Sequence, residues 1–401
     1  MFINNITFER RFNYMSNNYR ELFQPAHTLI GMGCINEIPR YIDALNANKA
    51  LIVSDTGLVK VGTVKKVTDV LDNAGKPYEI FDEVVPNPTT AVVKAASETL
   101  QKGKCDYVIG IGGGSPLDVA KAVGILAVNG GEIRSYEGVN KTNKPGLPLI
   151  AINTTAGTGS EVTRDYVITD EEKKIKMLMV DSNCLAYLAI DDPQLMLDMP
   201  PHLTAATGMD AITHAIEAYV CKSSFPYSDG LALEAVRLAS KSLKRAVQEG
   251  NNVDARTDMC WAEYMAGLAF SNSGLGLVHA MAHQLGGFYN MPHGVANAIL
   301  LPYVMEFNSL VCKERFVQIA KVLGIKTHNM TADQSSNAAI EYIKELSYEL
   351  NIPPLSSLGF NPCDVITLSL NALDDTCLSD NPRTPSLVDV QNIYMNAFEG
   401  K

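Results

Sequence analysis

Asp106-Tyr-Val-Ile-Gly-Ile-Gly-Gly-Gly-Ser-Pro-Leu-Asp118 decides the fold of the first half of this chain. Its apolar opening, 106–111, predicts a buried strand, and 117–128 predicts a helix. Between them Gly112, Gly113 and Gly114 let backbone N–H groups approach a ligand closely at the positive end of that helix. Ser115 reads as the N-cap, Pro116 as the first helical residue and Asp118 as the capping-box acid. Such a unit cradles a diphosphate, although a tight turn without a ligand has the same composition. The spacing is not Gly-x-Gly-x-x-Gly, and the acid able to accept a ribose 2′-hydroxyl, Asp55, ends an earlier strand. Asp55 serves equally well as an N-cap. Facing a ribose, it would repel a 2′-phosphate and favour NAD over NADP.

Outward from that stretch, short apolar runs alternate with helical periodicity. Lys49-Ala-Leu-Ile-Val-Ser54, Tyr78-Glu-Ile-Phe81 and Leu149-Ile-Ala-Ile152 read as strands, while 62–73 and 90–102 read as amphipathic helices. Continuous apolar strands separated by helices mean a parallel sheet covered on both faces. Asn153-Thr-Thr-Ala-Gly-Thr-Gly-Ser-Glu161 follows the strand at 149–152 and offers hydroxyls and pliant backbone for a phosphate or a nicotinamide. Its plainer reading is a polar connecting loop. From Pro200-Pro201 onward only helical periodicity remains. The expectation is an α/β dinucleotide-binding domain over 1–199 followed by an all-α, metal-binding domain over 200–401, with the active site in the cleft between them.

The helical half carries the most specific chemistry. Thr204-Ala-Ala-Thr-Gly-Met-Asp-Ala-Ile-Thr-His214 places a carboxylate and an imidazole four positions apart, about 40° apart around a helix. Gly276-Leu-Val-His-Ala-Met-Ala-His-Gln-Leu-Gly286 repeats the spacing with His279 and His283, and the loop Asn290-Met-Pro-His-Gly294 delivers His293. Of seven histidines in the chain, four lie between 214 and 293. Asp210 with His214, His279 and His293 makes an oxygen-and-three-nitrogen set suited to Fe²⁺, Mn²⁺ or Zn²⁺. A single Asp/His pair would more often be a surface hydrogen bond; two pairs and a further His point to a metal. The pattern is not His-Glu-x-x-His, which disfavours a zincin protease.

Composition narrows the partners. The 401 residues are 46% hydrophobic and 19% charged, with no run long enough to span a bilayer. A net charge of −11 argues against nucleic acid. Eight scattered cysteines without Cys-x-x-Cys read as free thiols in a reducing cytoplasm. Residues 1–20 lack the apolar core of a signal peptide and read as a tail, with Met15 an alternative start.

These blocks, together with Val85-Pro-Asn-Pro-Thr and Thr154-Thr-Ala-Gly-Thr-Gly-Ser-Glu-Val-Thr163, resemble the iron-containing (group III) alcohol dehydrogenases over roughly 22–398. Within that family the chain looks most like lactaldehyde reductases, which act on 1,2-propanediol, and 1,3-propanediol dehydrogenases. The resemblance implies Asp210, His214, His279 and His293 as metal ligands, with Fe²⁺ the usual ion and Zn²⁺ the alternative. It implies NAD contacts from Asp55, Asn87, Gly113, Gly114, Ser115, Asp118, Thr154, Thr155, Thr158, Val167 and Lys176, with Gly112 in the same turn. It places His283 between metal and nicotinamide as a proton relay or a supporting group, and Phe270 and Cys377 beside the substrate. Asp165 departs from the neutral residue of a lactaldehyde reductase, which opens the question of the preferred alcohol. The implied enzyme interconverts short-chain aldehydes and alcohols or diols with NAD(H) and forms a homodimer or larger homo-oligomer. A dehydroquinate-synthase-like lyase is the rival of another class; it needs Lys and Arg that the metal-bearing segments lack.

Overall fold

The computed structural model describes residues 19–173 and 175–400, so the tail and the alternative start at Met15 lie almost wholly outside the described residues. The strands are β1 (His27–Ile30), β2 (Ala50–Val53), β3 (Tyr78–Phe81), β4 (Tyr107–Gly112), β5 (Gly138–Val139), β6 (Leu149–Asn153), β7 (Asp165–Asp170), β8 (Ile175–Val180) and β9 (Leu188–Asp191). Six of them form one parallel sheet in the order β1-β9-β6-β4-β2-β3. In β2, β4 and β6 the facing residues Ile52, Ile109 and Ile150 are all fully buried. That double coverage is what continuous apolar strands require. The covering helices are α1 (Ile38–Leu45), α2 (Thr56–Lys60), α3 (Thr63–Asn73), α4 (Thr90–Gly103) and α5 (Gly114–Asn129).

The chain runs outward from β2 to β3 and then crosses back to β4 on the other side of β2. A crevice opens at such a switch point beyond the carboxyl ends of the strands. Asp55 and the glycine turn stand there side by side, because Val53 faces Gly110 across the sheet. A second, three-stranded sheet in the order β5-β8-β7 contains an antiparallel hairpin, Tyr166 opposite Met179, that the strand pattern above does not include.

After β9 the described elements are helical: α6 (Pro201–Val220), α7 (Pro226–Gln248), α8 (Val253–Ser273), α9 (Leu277–Tyr289), α10 (His293–Ser309), α11 (Lys313–Val322), α12 (Ala332–Glu349), α13 (Val365–Asp374) and α14 (Leu387–Glu399). Their apolar faces share one core that includes Met209, Ile212, Leu277, Met281 and Leu301. The architecture is therefore α/β joined to all-α.

Four local expectations fail. Helix α5 begins at Gly114 with Gly113 as its N-cap, so Ser115 does not cap it and Pro116 lies a turn position further in. The strand passes into the helix without a spacer, and only glycine fits there: a Cβ on Gly112 would meet Pro116 Cγ at 2.4 Å. Asp118 is likewise no capping-box acid; it accepts from Ser160 Oγ at 2.9 Å and from the Val167 N–H at 3.1 Å. His293 is not on the loop but is the first residue of α10, behind Pro292.

Candidate metal centre and cofactor cleft

Helix α6 is buried along most of its length, which brings Asp210 and His214 into the interior. Helix α9 reaches it through side chains, His279 stacking on His214 at 4.6 Å, and α10 packs against both with His293 at its start. One donor atom from each of the four residues lies within 4.8 Å of the others. Close approach is obligatory here, since a Cβ on Gly294 would stand 2.3 Å from the Ala206 carbonyl of α6.

The second nitrogen of each inner ring is already engaged. His214 Nδ1 lies 3.1 Å from the Gly157 carbonyl, and His279 Nδ1 lies 2.6 Å from Glu217 Oε2. Both acceptors call for a proton on Nδ1, which leaves each Nε2 with a lone pair to give to a cation. Asn297, one turn beyond His293, donates from Nδ2 to Asp210 Oδ1 at 2.6 Å and stands 3.1 Å from Nε2 of His279 and of His293. Burial pulls the His214 and His279 imidazoles below the ordinary value, and it brings His293 down to about 4. All three are then neutral near pH 7, as ligands must be. One carboxylate and three neutral imidazoles fit a borderline divalent ion.

His283 stands apart from this set. Its ring stacks on His293 at 5.6 Å, and its Nδ1 lies 2.9 Å from Asp375 Oδ2. The His283 charge and hydrogen bonds outweigh burial and hold the Asp375 carboxyl below the usual carboxylate range.

A cleft of about 430 Å³ runs from this corner to the glycine turn. It is lined by all four candidate ligands and His283, and by Asp165, Phe270 and Cys377. Asn87, Gly114, Ser115, Asp118, Thr158, Val167 and Lys176 line it toward the sheet. Phe270 stacks on His214 at 4.5 Å. Burial raises both the Asp165 carboxyl and the Cys377 thiol, the latter well above the ordinary range. Lys176 Nζ donates to Asn87 Oδ1 at 2.8 Å, and Asn87 is held in the left-handed region at φ 54°.

Asp55, Gly112, Gly113, Thr154 and Thr155 stand behind the lining. Asp55 Oδ1 accepts from the Leu58 N–H at 2.9 Å, so the N-cap alternative describes its hydrogen bonding. Gly113 packs on Thr155, where a Cβ would meet Cγ2 at 3.0 Å. Thr154 is buried, its N–H bonded to the Gly112 carbonyl.

Four contributors escape a reading by motif: Gly157, Glu217, Asn297 and Asp375. Glu217 has the best signal, three residues after His214 on one helix face. Asp375 has no signal of its own, two residues before Cys377 and 92 from the His283 that it engages.

Comparison with known proteins places this geometry. Residues 25–193 match the family described as iron-containing alcohol dehydrogenase, and 204–398 match its C-terminal domain. The chain is 45% identical over 371 residues to lactaldehyde reductase of Escherichia coli K12, covering 92% of this chain and 97% of that one. It is 41% identical to 1,3-propanediol dehydrogenase of Citrobacter freundii, covering 97% and 99%. A crystal structure of 1,3-propanediol oxidoreductase superposes with a TM-score of 0.93 at 41% identity, covering 95% of this chain and all of that one.

Proposed function

This chain belongs to the iron-containing alcohol dehydrogenase family, and from that premise we propose that it interconverts short, neutral aldehydes and alcohols or diols with NAD(H). Lactaldehyde and 1,2-propanediol are the first candidate pair, and 3-hydroxypropanal with 1,3-propanediol is the alternative. One observation carries the reading: the four metal-ligand candidates and Gly114 with Ser115 at the start of α5 line one cleft.

Asp210, His214, His279 and His293 hold the metal, with Gly157 and Glu217 fixing two of the rings. When bound, a divalent ion supplies Lewis-acid polarisation of a carbonyl oxygen, and NADH supplies the hydride. Gly114, Ser115 and Thr158 receive the diphosphate at the amino end of α5, where the N–H groups are free of helix partners. Asn87, Val167 and Lys176, which line the same cleft, would take the nicotinamide side of the cofactor. Phe270 and Cys377 give the substrate end an apolar wall, and Asp165 offers an acceptor to a substrate hydroxyl. Asp375 fixes Nδ1 of His283, which leaves Nε2 to relay a proton at the substrate end.

No helix among the described residues is long and apolar enough to cross a membrane. The eight cysteines are free, which fits a reducing cytoplasm. A homodimer or larger homo-oligomer is the expected assembly, and light scattering on the purified protein tests it.

The decisive assay is NADH oxidation by anaerobically Fe²⁺-reconstituted protein with lactaldehyde, 3-hydroxypropanal and propanal, beside a chelated control. Chelator-sensitive turnover is expected, and the ranking of aldehydes reports the role of Asp165. Metal-loaded protein that consumes no NADH with any of them refutes the proposal.

A further inference from the structure

Three acids outside the cleft have no part in this chemistry. Glu161 lies in the loop between β6 and β7, Asp191 ends β9, and Glu263 lies midway along α8, so three elements from both halves converge on one point. All three are fully buried, and one carboxylate oxygen from each lies within 4.8 Å of the other two. Asn153 Nδ2 donates to Asp191 Oδ1 at 3.1 Å and to Glu263 Oε1 at 2.9 Å, and the Gly159 N–H also donates to Glu263 Oε1. Glu161 and Glu263 face each other carboxyl to carboxyl, and among the described residues no other donates to the remaining oxygens. Both Glu161 oxygens, Asp191 Oδ2 and Glu263 Oε2 have no hydrogen-bond partner among the described residues.

The nearby ammonium does not fill the gap. Lys121 Nζ is spent on Ser160 Oγ at 3.2 Å, Thr163 Oγ1 at 3.2 Å and the Asp165 carbonyl at 2.6 Å. Buried carboxylates without a counter-charge cost several kcal/mol each by the order of magnitude for buried ions. Something positive must therefore sit among the four orphaned oxygens, either shared protons or a metal ion. A donor set made only of carboxylates, with no imidazole or thiolate, suits a hard ion and differs in kind from the Asp/His set of the cleft.

We propose that Glu161, Asp191 and Glu263 form a second, structural cation site for a hard divalent ion of the Mg²⁺, Ca²⁺ or Mn²⁺ class. The site ties α8 to the carboxyl ends of β6 and β9. It thereby anchors the 153–161 loop, whose Gly157 carbonyl orients His214 and whose Thr158 lines the cleft. The loop already sits hard against α8, where a Cβ on Gly159 would meet the Gly267 Cα at 2.6 Å.

The test is crystallographic, on iron-loaded protein equilibrated with millimolar Mn²⁺ and mapped by anomalous scattering at the manganese edge. Manganese inside the triangle of Glu161, Asp191 and Glu263 is expected, separate from the cleft. In Glu263→Gln that peak should vanish while one iron per chain remains at the four-ligand centre, and Mn²⁺ should raise the Tm of the parent but not of the variant. A parent map with no manganese at the triad, its carboxyl oxygens instead in short pairwise contact, overturns the proposal in favour of shared protons. The parent map decides the matter even where the variant does not fold.

Discussion

Replacing Glu217 with Gln probes the link between fold and metal most sharply, because this carboxylate does two jobs at once. Oε2 faces His279 Nδ1 at 2.6 Å, and Oε1 accepts from the Val278 N–H at 2.6 Å, in the first turn of α9. Gly276 makes room, since a Cβ there would stand 2.9 Å from Oε1. Burial pushes the Glu217 carboxyl up to about 8, so a cation beyond His279 helps to keep it ionised. In Glu217→Gln the amide can accept at only one of the two places, and its NH₂ opposes a donor at the other. If the α9 cap survives, His279 loses its acceptor, and the loss of a ligand's orienting partner costs about 10- to 100-fold in metal affinity. If His279 keeps its acceptor, the Val278 N–H is stranded in the interior, at about 1–3 kcal/mol of stability. The assay is metal competition against a graded chelator, read beside urea unfolding of the metal-free protein. A variant with unchanged metal affinity and unchanged stability refutes the two-role account.

Other perturbations separate the remaining parts. Gly294→Ala must push α10 off the Ala206 carbonyl and carry His293 with it, costing about 1–3 kcal/mol as an overpacked contact does; metal analysis should show the variant losing iron on dialysis that the parent survives. Asp375→Asn removes the carboxylate that holds His283 at Nδ1, so the pH–rate profile should change while metal content stays at the parental level. An identical profile would leave Asp375 a merely structural neighbour. Protons compete with metal for the imidazoles, so affinity falls as pH falls. With His293 brought down to about 4 and the other two lowered from 6.5, that fall should begin below the ordinary histidine range. Dialysis at graded pH checks it, and iron lost already near pH 7 would contradict it.

The layers of the fold were legible because burial leaves strong periodic traces. Continuous apolar runs marked β2, β4 and β6, and the disappearance of such runs after Pro200 marked the helical half. The β7–β8 hairpin was not recovered, although Asp165–Asp170 alternates half-buried and buried residues. Both strands carry apolar runs, Tyr166-Val-Ile168 in one and Ile175-Lys-Met-Leu-Met-Val180 in the other, and their cover comes from the core in which Tyr166, Ile168, Met177 and Met179 pack with α5. Asp210 and His214 at the metal corner were legible from their i, i+4 spacing, which His279 shares only with His283 outside the set. Gly157, which orients His214 from the loop after β6 at 57 residues' separation, was not, nor was Asp375, 92 residues from His283. Ser115 misled for a local reason: the β4–α5 turn is so tight that glycine, not serine, occupies the cap.

The central claim is direct, metal-dependent hydride transfer between NADH and a small carbonyl compound. It is tested by a single turnover with NADH deuterated at both C4 positions, lactaldehyde and Fe²⁺-loaded protein, followed by mass analysis of the diol. One deuterium on the former carbonyl carbon is expected, and none when the metal is chelated. Unlabelled diol, or labelled diol formed equally well without metal, would contradict it.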